Sequence, residues 1–360
     1  MVGLRFVRVV INRLDIRRQM VRQHGVHAVL AAVAHGLLIV PALEVDHGQR
    51  FLQLADLIFP NPIFYLNFTM KVIRAKSAGF CFGVERAIDI ATTCTEGGKC
   101  RVYTDGPLIH NRQMMERLTN KGILEIGDYK SEGHIDSEID QKTKENSVLV
   151  FRAHGVSPER REYLRSLGLR YKDATCPDVG KIAGIIKMHA NKGYTSVIVG
   201  DPDHPEVIGL LGYAGKKGYV VKTREDIDAL PDITGDICMV SQSTMFTDDY
   251  REISDYFKKR FPNTKVIDTI CGATKERQKD VKTLAEKGAQ AIVVIGGKHS
   301  ANTVKLAIMA NRTGLPCFHI ETIKELNLDE IKKYEVVGVT AGASTPDFLI
   351  DEVCYRLESL

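Results

Sequence analysis

The sequence predicts an α/β protein of three similar units grouped about a pseudo-threefold axis. The prediction rests on a repeat, the feature to be sought first in any long chain. Cys81, Cys176 and Cys271 stand 95 residues apart, each after a short strand-like segment and directly before a helix-period run. After Cys176 and Cys271 that run leads into apolar, β-branched segments, "TSVIVG" and "AIVVIGG". Such alternation marks βαβ units with a parallel sheet.

Two further sets of positions keep step with the cysteines. One comprises His110 in "VYTDGPLIHN", His204 in "VIVGDPDHPE", and His299, Ser300, Ala301 and Asn302 in "VVIGGKHSAN". The other closes each unit: His154 in "LVFRAHGVSPE", Gln242, Ser243 and Thr244 in "CMVSQSTMFTDD", and Ser344 in "GVTAGASTPDF". Each is an apolar strand, then small polar residues, then a helix start. Polar residues at the carboxyl ends of parallel strands are where open α/β sheets bind ligands. The three units are expected at 70–174, 175–270 and 271–344, with 345–360 returning to the first.

Residues 1–69 read differently. They contain seven Arg but no Lys and no Ser, whereas 26 Lys and 16 Arg follow Met70. The apolar run "HAVLAAVAHGLLIVPALEV" carries His27, His35 and Pro41 and is marginal for a span, which takes about 20 apolar residues. A transit peptide would be Ser-rich. Met70 opens a clean strand, "MKVIRA". The expectation is that translation starts at Met70 and that 1–69 is a non-native or disordered extension; a genuine extension or weak membrane anchor is the alternative.

The remaining composition narrows the function classes. A hydrophobic content of 44% with 26% charged residues is that of a soluble globular protein. A net charge of +4 over 360 residues, with no basic stripe, argues against a nucleic-acid surface and favours local sites for small anions. No membrane partner is expected for the core. Eight cysteines scattered through so long a chain are not the framework of a small secreted domain, so a reduced, cytoplasmic protein is expected.

Three thiolates converging on one point suggest a metal centre. Structural zinc takes four protein ligands, whereas thiolates are the normal ligands of iron–sulfur clusters. A 4Fe–4S cluster on Cys81, Cys176 and Cys271, one per chain, leaves one iron without a protein ligand, open to a substrate oxygen. Cys94, Cys100, Cys238, Cys317 and Cys354 fall outside the repeat and read as packing residues. His110, His154 and His204, with Ser243, Ser300, Asn302 and Ser344 beside helix starts, form a donor set suited to a diphosphate. No P-loop pattern is present. Glu206, two residues past His204, is placed to hold and deliver a proton if its pocket excludes water.

In order, "GFCFGV", "IHN", "AHGVS", "ATCP", "HPEV", "SQST", "GGKHSAN" and "TAGASTPD" resemble the signature segments of the 4-hydroxy-3-methylbut-2-enyl diphosphate reductase family of the LytB type, the last enzymes of the non-mevalonate isoprenoid pathway. The resemblance runs from Met70 to the C-terminus. It implies a trefoil around a central cluster ligated by Cys81, Cys176 and Cys271. It implies a substrate pocket of His110, His154, His204, Ser243, Thr244, Ser300, Ala301, Asn302 and Ser344, with Glu206 as the proton donor. Ser243 stands where the family often has threonine. Ala301 replaces a common serine, so only its backbone N–H could serve. The implied reaction is reductive dehydroxylation of the allylic diphosphate to isopentenyl and dimethylallyl diphosphate, with ferredoxin or flavodoxin as electron donor. A cluster-bearing dehydratase without net redox, and a non-catalytic sensor, are the alternatives.

Overall fold

The computed structural model describes residues 70–95, 100–127 and 133–360, together with two short strands, β1 (Leu30–Val33) and β2 (Gly36–Ile39), paired antiparallel. The remaining expectations for residues 1–69 lie outside the described residues. Among the described residues no helix is long and apolar enough to cross a membrane.

From β3 (Lys71–Arg74) onward the chain repeats one plan three times. The first unit runs α1 (Phe82–Thr95), β4 (Arg101–Asp105), α2 (Arg112–Asn120), β5 (Ile123–Ile126), β6 (Ser147–Phe151), α3 (Pro158–Ser166), β7 (Arg170–Asp173). The second runs α4 (Pro177–Ala190), β8 (Thr195–Val199), α5 (Pro205–Gly212), β9 (Gly218–Val221), α6 (Arg224–Asp228), β10 (Ile237–Ser241), α7 (Thr247–Arg260), β11 (Thr264–Val266). The third runs α8 (Gly272–Glu286), β12 (Ala291–Ile295), α9 (Ala301–Arg312), β13 (Cys317–Ile320), α10 (Leu328–Ile331), β14 (Val336–Ala341), α11 (Asp347–Glu358). The result is the expected α/β protein of three similar units.

The three four-stranded sheets are ordered β5-β4-β6-β7, β9-β8-β10-β11 and β13-β12-β14-β3. The β4–β7 and β8–β11 pairings are parallel, as are those of β12 with β13 and β14. The strands "SVLVF", "TSVIV", "ICMVS" and "AIVVI" are buried along their whole length. That is why they read as continuous apolar runs: a parallel sheet is covered by helices on both faces.

One strand is exchanged relative to the sequence expectation, which assigned residues 70–75 to the first unit. The structure places β3 beside β14 in the third sheet, where the Ala75 N–H donates to Val339 O (2.8 Å). The same rule holds in every unit: the outer strand beside the closing strand leads into the next cysteine. β7 leads to Cys176, β11 to Cys271 and β3 to Cys81. β3, the strand ahead of the first cysteine, completes the last sheet, and the three-unit ring closes on itself. Helix α11 follows β14, and its Asp347 and Asp351 pair with Arg74 of β3. Arg117 of the first unit covers the Phe348 ring, so this terminal helix touches that unit as well.

Within the first unit, Asp105 at the end of β4 is wholly buried and takes a two-pronged contact from Arg160 of α3, at 2.6 and 3.1 Å. The Asp105 carbonyl also accepts from Arg152 Nη1 (3.3 Å), which ties the pair to the loop carrying His154. Removing one member of a buried pair strands the other. Asp105→Ala is therefore expected to cost about 3–5 kcal/mol, read as a lowered urea midpoint; an unchanged midpoint would show that the pair is dispensable.

Candidate active site

Each repeated cysteine sits at a helix start and is fixed by one backbone bond. The N–H of Cys81 donates to Ala343 O (3.1 Å), that of Cys176 to Ala153 O (2.9 Å), and that of Cys271 to Ser243 O (3.0 Å). The three acceptors lie in matching turns, Arg152–Gly155, Gln242–Met245 and Gly342–Thr345, each closed by a bond between its end residues. Cys176 and Cys271 are the N-caps of α4 and α8, yet neither thiol caps its helix. All three cysteines are free and partly accessible.

The packing around the first cysteine explains the glycine after "CF" in "GFCFGV". A Cβ on Gly83 would fall 2.5 Å from Cys176 Sγ and 3.1 Å from its Cβ. Only glycine lets helix α1 pass so close to the second cysteine. The thiols also act on one another electrostatically. Burial pushes the Cys176 thiol above its ordinary range, and Cys81 adds to the rise. Burial likewise raises Cys271, and both Cys81 and Glu206 add to that rise. Among the described residues, no three His, Cys, Asp or Glu side chains are gathered tightly enough for a single metal ion.

The histidines converge from two units. The His110 and His154 rings are 4.4 Å apart, His154 and His204 5.7 Å, and His110 and His204 6.1 Å. Burial lowers His110 to about 4, with Arg152 and then His299 adding to the fall. Burial lowers His204 to about 3, with His110 and Lys305 adding to it, and it carries His154 well below its usual value. All three are neutral at physiological pH and act as hydrogen-bonding groups. His204 Nδ1 accepts from the Glu206 N–H (3.2 Å), which leaves its proton on Nε2. His154 Nδ1 and Asn302 Nδ2 are buried without a partner.

The third unit closes this pocket. Ser344 Oγ donates to His110 O (3.0 Å), and a Cβ on Gly297 would lie 3.3 Å from the same carbonyl. Ser300 caps α9, accepting from the Thr303 N–H (3.5 Å), so Ala301 and Asn302 occupy the first turn. Helix starts of this kind favour anions.

Glu206 is 1% exposed. Its two oxygens accept from the Ser243 N–H and the Ser243 Oγ, both at 2.6 Å. Burial raises its carboxyl; the Ser243 bonds and Lys305 oppose the rise. Thr244 Oγ1 accepts from Gln242 Nε2 (2.9 Å) within the same turn. By turn register, Thr244, one residue past Ser243, is the counterpart of His154 and Ser344.

Two cations were missed in the sequence. Arg152 is buried one turn position before Ala153 and bears on all three histidines. Lys305 Nζ donates to Thr244 O (2.8 Å), and burial pulls it down to about 8 while Glu206 holds it up. Its signal was present: Lys305 follows Asn302 by three residues on one helix face.

The sequence model of the LytB protein family matches residues 72–358. The chain belongs to this family. It is 60% identical over 291 residues to a 4-hydroxy-3-methylbut-2-enyl diphosphate reductase of Opitutus terrae, covering 81% of this chain and all of that protein. It is 39% identical over 293 residues to the reductase of the same name from Alkaliphilus oremlandii, again over 81% of this chain and the whole relative. Among solved structures, the E-1-hydroxy-2-methyl-but-2-enyl-4-diphosphate reductase of Plasmodium falciparum superposes with a TM-score of 0.72 at 27% identity, over 80% of this chain and 88% of the other. A structure of (E)-4-hydroxy-3-methyl-but-2-enyl diphosphate reductase, described as the terminal enzyme of the non-mevalonate pathway, aligns with a TM-score of 0.59 at 36% identity, over 81% and 100%. The trefoil architecture of these LytB structures is the one seen here.

The lowered histidines fix a pH dependence. Between pH 6.5 and about 4 the unfolded chain binds a proton that folded His110 refuses. Stability is therefore full above pH 6.5 and falls as pH drops through that window. His110→Asn is expected to flatten the decline, measured as the denaturant midpoint at several pH values. A decline as steep as in the parent would show that other groups govern it.

Proposed function

We propose that this chain is an iron–sulfur oxidoreductase that reductively removes the hydroxyl of 4-hydroxy-3-methylbut-2-enyl diphosphate. The observation that carries the reading is the shared placement of Cys81, Cys176 and Cys271, each bonded to a matching turn, with Glu206 acting electrostatically on Cys271. The donor set fits a 4Fe–4S cluster. Three uncrosslinked, half-buried thiols at helix starts are costly to ionise together without a cation, and metal binding deprotonates such ligands. Cys81, Cys176 and Cys271 would hold the cluster, one iron remaining without a protein ligand. When bound, it supplies electrons and a Lewis-acidic iron for the allylic oxygen.

The chain's own residues supply binding and protons. His204 Nε2, His154 Nδ1 and Asn302 Nδ2 are available to phosphate oxygens, joined by His110, Ser300 and the Ala301 N–H; Ser344 Oγ joins them by turning its proton away from His110 O. The histidines are neutral, so they orient the diphosphate without adding charge. Positive charge comes from Arg152, Lys305 and the start of α9. Gripping the remote diphosphate orients the C–O bond at the reacting end. Thr244 lines the pocket by its carbonyl bond to Lys305.

Glu206 and Ser243 form the proton route. The ionised carboxylate accepts both Ser243 bonds. Once protonated, Glu206 donates to Ser243 Oγ, and the serine hydroxyl is released to pass a proton onward. The balance is two electrons and two protons in, water and one C–H bond out. Protonation at one of two allylic carbons gives isopentenyl or dimethylallyl diphosphate. The electrons come from a carrier of the ferredoxin or flavodoxin kind, in the cytoplasm.

The deciding experiment is anaerobic isolation of the chain from Met70, with iron and sulfide analysis, spectra, and turnover with and without a reductant. About four irons per chain and reductant-dependent product support the reading. An iron-free, folded protein that cannot be reconstituted, or product without a reductant, overturns it. Each of Cys81→Ser, Cys176→Ser and Cys271→Ser is expected to lose most of the iron; full iron content in any of them would remove that residue from the ligand set. Glu206→Gln is expected to keep substrate binding and lose turnover by about 10²–10⁴-fold. Near-parent turnover in that variant would refute the proton-donor role.

A further inference from the structure

Arg277 lies on α8, six residues beyond Cys271, and is 3% exposed. Its Nη2 donates to Gly79 O (2.6 Å) in the loop before Cys81, and its Nη1 donates to Ala273 O (3.0 Å). Neither partner is a carboxylate. Its Nε is buried and has no hydrogen-bond partner. Burial disfavours its charge, and the influences that oppose this are led by Cys81 and Cys271, ahead of Glu276 and Asp280 on its own helix.

A guanidinium keeps its proton at any working pH. Burying one against carbonyls alone is costly, and a spare N–H inside the protein adds to the cost. Such a group calls for an anion, and its two carbonyl partners lie two residues from Cys81 and two residues from Cys271, whose sulfurs become thiolates when a metal centre is bound. Cluster potentials are set by net charge, by hydrogen bonds to the sulfurs and by solvent exposure. Reduction adds one negative charge to a thiolate-ligated cluster, so a fixed cation beside it favours the reduced form.

We propose that Arg277 sets the reduction potential of the cluster held by Cys81, Cys176 and Cys271, acting as a fixed positive charge and N–H donor beside the Cys81 and Cys271 sulfurs. The inference rests on the cluster reading above and names a residue that it does not include. Arg277 acts through the cluster and touches no substrate. It joins the third unit, which carries Cys271, to the loop that carries Cys81.

The test is an EPR-monitored redox titration of the anaerobically reconstituted full chain, beside Arg277→Gln and Arg277→Lys, with iron content and circular dichroism on each. Arg277→Gln removes the charge and keeps a polar side chain. Its reduced-to-oxidised ratio at fixed potential is expected to fall at least tenfold, a downward midpoint shift of about 59 mV for one electron. Arg277→Lys, which restores the charge without the fork, is expected to recover part of the shift. An unmoved midpoint in Arg277→Gln at full iron content overturns the proposal and leaves the cluster reading standing. If Arg277→Gln loses its iron, retention of iron by Arg277→Lys supports the role of charge. Loss of fold or iron in both makes Arg277 a packing residue and overturns the proposal. An iron-free parent protein sinks the cluster reading itself.

Discussion

The rest of the structure depends on three backbone hydrogen bonds, those by which the N–H groups of Cys81, Cys176 and Cys271 hold matching turns. Each lies where the chain leaves the outer strand of one sheet and enters the first helix of the next unit. The bond fixes the cysteine and the turn in one step, because both ends are backbone. The turns in turn carry His154, the Ser243–Thr244 pair and Ser344. A shift of one unit against another would move a thiol and a pocket residue together. Close packing makes such a shift costly, as the contact between Gly83 and Cys176 illustrates.

Water exclusion is the second consequence of that closure. The same burial acts on opposite kinds of group and gives each a useful state. It keeps His110 and His204 neutral, so that each offers a defined donor and acceptor. It raises the Glu206 carboxyl above its ordinary range. Ser243 opposes that rise with two short bonds. The cations that balance the site come from different units: Arg152 from the first, Lys305 and Arg277 from the third. No single unit carries all of the proposed site residues.

The repeat was legible in the sequence because its parts are local. A strand, a small polar turn and a helix start are written within about ten residues, and the interval of 95 residues between cysteines needs no knowledge of the fold. The exchange of β3 was not legible, since "MKVIRA" has the same pattern whichever sheet it joins. Pairing β3 with β14 links residues 71–74 to 336–341, and no local signal carries that information. The alignment of Thr244 with His154 and Ser344 was hidden for a related reason. "SQST" offers two neighbouring hydroxyls, and only the turn bond from Met245 to Gln242 sets the register. Arg277 and Lys305 were passed over because charged residues at helical spacing are usually solvated.

Closure of the ring also explains why β3 and α11 meet in one unit. In units one and two the helix after the closing strand leads into an outer strand, whereas no strand follows α11 among the described residues. β3 fills the vacancy, and Arg74 pairs with Asp347 and Asp351 of that helix. Cys81 is thereby tethered to the third sheet from both sides, through β3 before it and the Ala343 carbonyl beside it. Arg277 adds a side-chain tie at the same place, through Gly79. The first and third cysteines are thus joined by a strand, a turn and a buried cation. The first and second are joined by α1, whose Gly83 meets Cys176 while its Arg86 donates to the Thr175 carbonyl (3.2 Å). Three loops that are far apart in sequence are held together by ties that each span a unit boundary.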